Sequence, residues 1–246
     1  MAMFITGGSR GIGAAIVLQA ARTGHDVAFT FIRNEAAAQD VLGKAQEIRP
    51  DGRYKAYPLD VRNSAQVEKV GEQVLADFDT VQVVVANAAI NKNALLVSMS
   101  DEDWHDVLET NLSGAFYACR CFLPVFIANR FGRFILISSL GARGVSGQGH
   151  YAASKAGLLG LSATLAKEYG KKGITSNVIS PGFIETDMTR AGMSEANRKF
   201  WLQYCPAGRL GELSEIAELV SFLASPGGAF INGQELRVNG GLDWAP

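Results

Sequence analysis

Val81-Gln-Val-Val-Val-Ala86 is the stretch that most restricts the fold. It is a nearly continuous β-branched run with no polar alternation. A strand of that kind is buried on both faces, and such strands sit in parallel sheets covered by helices. Parallel neighbours need crossover connections, and the chain supplies them in alternation. Met3–Ile5 and a helical pattern from Ala14 to Thr23, closed by Gly24, come first. A strand at His25–Phe31, an Ala-rich helix at Glu35–Ile48, a strand at Tyr54–Leu59 and a helix at Ser64–Ala76 follow. Beyond the central run, Ser100-Asp-Glu-Asp103 reads as a helix-capping start. Trp104, Val107, Leu108, Asn111, Leu112, Ala115, Phe116 and Cys119 then recur at helical spacing. Strands at Gly132–Ser138, Ile174–Ser180 and Gln234–Asn239 complete the series, with a helix from Tyr151 to Tyr169 and a last one ending near Pro226. No repeat, low-complexity tract or linker interrupts it. The expected fold is α/β, one domain over residues 1–246 with a doubly wound parallel sheet.

The totals agree with that reading. Of 246 residues, 48% are hydrophobic and 19% charged, enough for a large core and unlike a disordered chain. The formal net charge of -1 offers no basic field for nucleic acid. Cys119, Cys121 and Cys205 form no metal-ligand cluster; their apolar surroundings suit reduced thiols and a cytoplasmic location. The start, Met-Ala-Met-Phe-Ile-Thr6, lacks a basic leader. No apolar run reaches bilayer-spanning length, so no membrane is expected.

Two motifs carry chemistry. Thr6-Gly-Gly-Ser-Arg-Gly-Ile-Gly13 lies between a strand and a helix. There Gly7 permits a tight turn, Gly11 lets backbone approach a pyrophosphate, and Gly13 lets helix pack on strand. Free N–H groups at the helix start would face the phosphates. An ordinary strand-to-helix turn is the plainer reading. Tyr151-Ala-Ala-Ser-Lys155 places a phenol and an ammonium one helical turn apart. At ~4 Å and an effective dielectric of ~20 their attraction is ~4 kcal/mol, or ~3 pKa units, bringing a tyrosine from ~10 toward ~7. The same spacing also occurs on solvated helices.

The glycine octet resembles the cofactor turn of the short-chain dehydrogenase/reductase superfamily, and the other landmarks follow in that family's order over nearly the whole chain. The resemblance implies a Rossmann-like fold and a catalytic tetrad of Asn111, Ser138, Tyr151 and Lys155. Asn111 would sit at an irregular point in its helix and hold a water linked to the lysine. Ser138 stands thirteen residues before Tyr151 and three before Gly141, as the family's serine does; Ser139 meets neither test. Lys155 would lower the tyrosine pKa and anchor the nicotinamide ribose. His150 reads as a loop histidine.

The implied cofactor set is Gly7, Ser9, Arg10, Gly11, Ile12, Gly13, Arg33, Asp60, Val61, Asn87, Ala88, Tyr151, Lys155, Pro181, Gly182, Ile184 and Thr186. Asp60-Val61 would contact adenine, or Asp60 would start a helix. Ile184 backbone would meet the carboxamide and Thr186 a phosphate. Ala86-Asn87-Ala88-Ala89 departs from the family's Asn-Asn-Ala-Gly at positions 86 and 89. The second strand ends in Phe31 without the carboxylate that would bind a ribose 2′-hydroxyl, while Arg10 and Arg33 could pair with a 2′-phosphate. NADP(H) is therefore the expected cofactor, with no metal.

Within the superfamily, Pro181-Gly-Phe-Ile-Glu-Thr-Asp-Met188 and Val238-Asn-Gly-Gly241 bring the chain nearest to 3-oxoacyl-[acyl-carrier-protein] reductases. That implies an NADPH-dependent ketoreductase of a 3-oxoacyl thioester in fatty-acid or polyketide-type synthesis. The alternatives are a reductase of a sugar, steroid or xenobiotic ketone, and a catalytically silent binding protein. Residues 185–205 read as a lid over an elongated apolar substrate. Arg130, Arg133, Lys171 and Lys172, placed near the mouth, could attract an acyl carrier protein. A homotetramer is expected through the helices begun near Asp103 and Tyr151. Ala152, Ala156, Gly157 and Gly160 would permit close helix approach there.

Overall fold

The computed structural model describes residues 1–185 and 195–242. Its strands are β1 (Ala2–Ile5), β2 (Asp26–Phe31), β3 (Tyr54–Pro58), β4 (Val83–Ala86), β5 (Gly132–Ile137), β6 (Ile174–Pro181) and β7 (Glu235–Val238). They form one parallel sheet in the order β3-β2-β1-β4-β5-β6-β7. The order reverses between β1 and β4, so a crevice opens at their carboxyl ends, where this architecture binds ligands.

The helices are α1 (Gly11–Arg22), α2 (Glu35–Ile48), α3 (Ser64–Phe78), α4 (Asp101–Leu108), α5 (Gly114–Asn129), α6 (Gly149–Tyr169), α7 (Glu195–Tyr204) and α8 (Leu213–Ala224). Local chemistry sets their starts. Asn34, Asn63 and Ser100 each accept a main-chain N–H three residues on, and Glu212 with Glu215 forms a capping box on α8. The inner strands bury both faces, giving two cores, while the edge strands β3 and β7 are only partly buried. On one side Val67, Val74, Phe122, Phe126 and Leu158 from α3, α5 and α6 cover Phe4, Val84 and Phe134. On the other, Ile16, Val41 and Ile216 from α1, α2 and α8 cover Ile5, Val85 and Ile135.

Two expectations need correction. Helix α1 begins at Gly11, inside the glycine motif and earlier than its apolar pattern suggests. A π-helical turn, Glu109–Ser113, joins α4 to α5, so Asp101–Asn129 is one helical run of 29 residues. By length and composition alone this run could span a bilayer, contrary to the reading of the sequence. In the fold, its Phe122 and Phe126 are buried against the sheet, which identifies it as a core helix. Among the small residues of α6, Ala152 is buried and a side chain at Gly157 would strike Leu112, so those two serve packing within the chain. Ala156 is exposed and Gly160 faces open space.

Phe122 is fully buried, its ring centroid 4.7 Å from that of Phe4. Phe122→Ala is expected to lower stability by about 3–5 kcal/mol. A urea melt would read this as an earlier midpoint at an unchanged slope.

Candidate active site

The residues of the glycine turn meet at the crevice. Gly7 has φ +68° and Gly11 φ +55°, values that favour glycine. Thr30 at the end of β2 pins the turn, its Oγ1 accepting from Gly7 N–H and its carbonyl from Gly8 N–H. Thr6 Oγ1 accepts from both Asn87 and Ala88 N–H at 3.0 Å. Asn87 Nδ2 donates back to the carbonyls of Thr6 and Gly7. Asn87 therefore ties β4 to the turn across the switch point. A Cβ on Gly13 would lie 2.1 Å from the Gly7 carbonyl oxygen, so only glycine lets α1 come this close. A Cβ on Gly11 would meet nothing within 4 Å, which leaves the turn open on its outer side.

The first bond from within α1 to the turn runs from Ala14 N–H to the Arg10 carbonyl, and Arg10 offers no side-chain cap. The earlier N–H groups, with Ser9 and Ile12 beside them, thus form an open cradle of the kind a pyrophosphate fits. Phe31 is half-buried at the end of β2, and Arg10 and Arg33 are exposed on either side of that end. The stretch that ends β2, Phe31-Ile32-Arg33, carries no carboxylate of its own.

Asp60 and Val61 follow β3. Asp60 does not cap α3; Asn63 does. Asp60 instead forms an ion pair with Arg62 at 2.7 Å, and the guanidinium holds its carboxyl below the usual carboxylate range. Val61 is buried and packs under Gly114.

Around Tyr151 the structure corrects the serine assignment. Ser138 is buried, and its Oγ donates to the Lys155 carbonyl at 2.9 Å. The hydroxyl hydrogen-bonded to the Tyr151 side chain belongs to Ser139, whose Oγ also accepts from Gly141 N–H at 3.0 Å. Side chains alternate along a strand end, so only one of two adjacent serines can face the tyrosine. Counting thirteen residues back from Tyr151 finds Ser138, whereas the serine against the phenol stands twelve residues back.

Lys155 is 2% exposed, and its Nζ donates to the Ile137 carbonyl at 2.7 Å. Burial pulls its pKa down to about 7. The Nζ sits 5.8 Å from the Tyr151 ring centroid. Burial raises the Tyr151 pKa, and the Ser139 hydrogen bond opposes that rise. Lys155 adds no lowering to these two effects, because the ammonium is itself desolvated and turned to the strand. Asn111 lies in the π-helical turn, at the irregular point anticipated for it. Its Oδ1 accepts from Ile90 N–H, and its Nδ2 donates to the Ile90 carbonyl and to Ser154 Oγ. Its side chain is thus spent on fixing the loop after β4 against α6. Any water it holds would be met by its main chain, since π-turns displace carbonyls from the helical ladder.

Pro181 ends β6, and Gly182 N–H donates to the Val238 carbonyl. A Cβ on Gly182 would be 2.7 Å from Asn239 Cα. Ile184 is buried and bridges to Gly211. Thr186 and most of the first half of the lid stretch lie outside the described residues. Its second half is α7, whose Trp201 stacks on Phe183 with centroids 4.1 Å apart.

Arg130, Arg133, Lys171 and Lys172 do not flank the mouth. They stand where β5 and β6 begin, at the opposite end of the sheet. Arg133 is buried there, donating to the carbonyls of Gly132 and Gly173. The sequence reading erred because a turn before a strand and a turn after it look alike. It also passed over Thr6, Thr30 and Ser154, whose hydroxyls assemble the site, and an ion-pair chain. In that chain Lys92 bridges Asp103 and Asp106, and Arg62 joins Asp106 to Asp60. The three thiols are free, and burial raises the pKa of Cys119 and brings Cys121 up to about 11.

The chain has close relatives. Residues 7–243 match a family model described as Enoyl-(Acyl carrier protein) reductase. The 3-oxoacyl-[acyl-carrier-protein] reductase FabG of Escherichia coli strain K12 is 44% identical over 241 residues, covering 97% of this chain and 95% of that protein. FabG of Staphylococcus epidermidis is 39% identical, covering 97% of both chains. Among solved structures, that of levodione reductase superposes with a TM-score of 0.94 at 30% identity, covering 98% of this chain and 97% of the other. The sheet order, the glycine cradle and the Tyr151–Lys155 helix agree with these likenesses, and the chain belongs to the short-chain dehydrogenase/reductase superfamily.

Proposed function

We propose that this protein reduces the 3-oxo group of an acyl thioester, probed most simply as an acetoacetyl thioester, to the 3-hydroxyacyl product. The observation that carries this reading is the near-full-length identity to 3-oxoacyl-[acyl-carrier-protein] reductases together with a tyrosine, serine and buried lysine gathered at the crevice. The cradle between Gly7 and Gly13 would hold the pyrophosphate of NADP(H), with Asn87 and Ala88 beneath it and Asp60 and Val61 toward the adenine. Arg10 and Arg33 would pair with its 2′-phosphate. Pro181, Gly182 and Ile184 would line the nicotinamide, and Thr186 a phosphate. When bound, the dinucleotide supplies the hydride.

The chain's own residues handle the proton. Tyr151 donates its phenolic proton to the oxygen that becomes an alkoxide, and Ser139, already bonded to that phenol, stabilises the same oxygen. The raised pKa of Tyr151 keeps the proton in place until that oxygen develops charge. Lys155 becomes an effective cation once an anionic ligand lies along the strand ends, because opposite charge favours its protonated form. Asn111 fixes the loop at Ile90 that borders the site. The stretch 185–205 would cover the acyl chain, an assignment supported by the Phe183–Trp201 stack at its base. An acyl carrier protein is the proposed donor of substrate. The cytoplasm is the proposed location, consistent with three free thiols. A homotetramer through the helical run Asp101–Asn129 and α6 is proposed, with the open positions Ala156 and Gly160 on α6 in its support.

Tyr151→Phe is expected to cut turnover at least ~10²-fold while NADPH binding persists. Ser139→Ala should lose far more turnover than Ser138→Ala; the reverse order would return the serine's role to Ser138. The lysine has its own signature in stability. Its folded pKa of about 7 lies below the ~10.4 of an unfolded lysine, so between these values the unfolded chain binds more protons and stability rises with pH. Cofactor-free wild type should therefore be less stable than Lys155→Met below about pH 7, with the gap closing by about pH 10. Paired denaturant melts across that range check it.

A further inference from the structure

His150 is fully buried beside the tyrosine, and nothing in the reaction above uses it. Helix starts leave main-chain N–H groups without partners. In α6 a bond from Ala152 N–H to the Gln148 carbonyl, 2.8 Å, opens the ladder, so Tyr151 N–H falls before it. Gln148 gives no side-chain cap. The partner is His150 Nδ1, which accepts from Tyr151 N–H at 2.7 Å. An accepting Nδ1 carries no proton, so the neutral ring is protonated on Nε2. That Nε2 is buried with no hydrogen-bond partner among the described residues. A buried donor left unmet is destabilising, and an apolar side chain of similar size would avoid it. What the imidazole gives in return is one acceptor, aimed at the main chain of Tyr151.

We propose that His150 is a positioning residue for Tyr151. Its Nδ1 caps the start of α6 and fixes the tyrosine's main chain, and with it the reach of the phenol toward Ser139. The role rests on the reading of Tyr151 as proton donor. A histidine was not needed to supply an acceptor; an asparagine or glutamine oxygen could do the same, and that equivalence makes the idea testable.

The test compares His150→Leu with His150→Asn. His150→Leu removes the acceptor and the unmet donor together, so it should fold and bind NADPH, read by nucleotide fluorescence, as wild type does. Its kcat is expected to fall about tenfold or more, with KM little changed, since misplacing a reacting group by ~1 Å can cost ~10²-fold. His150→Asn should keep kcat within about twofold of wild type. Equal kcat in wild type and His150→Leu, or equal losses in both variants, would overturn the proposal. Nitrogen-15 spectra of the three histidines give a readout apart from activity: His150 should show the Nε2–H tautomer, and an Nδ1–H tautomer would overturn the proposal even if His150→Leu failed to fold. Full turnover in Tyr151→Phe would instead remove the proton-donor reading and leave the tautomer result standing.

Discussion

The site depends on a reciprocal strap between the end of β5 and the second turn of α6. Ser138 Oγ donates to the Lys155 carbonyl, and Lys155 Nζ donates to the Ile137 carbonyl. Both bonds are buried. They join neighbouring residues on the strand to a single residue on the helix, so helix and strand cannot slide independently. That register brings Tyr151, one turn before Lys155, against Ser139, one residue past Ser138. Burying an ammonium carries a desolvation penalty of several kcal/mol. A pKa of about 7 is the visible sign of it. The strain is local and sits where a charged ligand would relieve it, a common arrangement at functional sites.

The cofactor end is built on a different economy. Thr6, Thr30 and Asn87 spend neutral hydrogen bonds on the glycine turn and leave the amides at the start of α1 free. Here pre-organisation comes from backbone satisfaction rather than from charge. The ion-pair chain from Asp60 through Arg62, Asp106 and Lys92 to Asp103 ties the turn after β3 and the loop after β4 to α4. It borders the loop that Asn111 holds from inside.

Much of this was legible in residues alone. The nearly continuous run at Val81–Ala86 announced a parallel sheet, and the glycine spacing announced the tight turn that joins β1 to α1. What failed did so for physical reasons. The Ser138 assignment rested on counting along a loop, and loops absorb a one-residue change without moving the strand that precedes them. Lys155 was expected to depress the tyrosine pKa, but pairwise attraction says nothing of desolvation, which needs the packed structure. The basic residues at positions 130–133 and 171–172 were set at the wrong end of the sheet because sequence does not say which end of a strand a turn serves until the chain direction in the sheet is known. His150 was taken for a loop residue because nothing in its neighbours signals that α6 starts before Tyr151.

The family description and the close relatives name two different reductions, of an enoyl and of a 3-oxoacyl group. A phenol and a hydroxyl converging on one oxygen suit a carbonyl, where the proton ends on oxygen. Reduction of a carbon–carbon double bond ends with the proton on carbon. The most direct measurement is the loss of nicotinamide absorbance at 340 nm with acetoacetyl and trans-2-butenoyl thioesters, each with NADPH and with NADH. The account calls for turnover of the acetoacetyl thioester with NADPH well above that with NADH, and none of the butenoyl thioester. Turnover of the butenoyl thioester alone, or of neither, would contradict it.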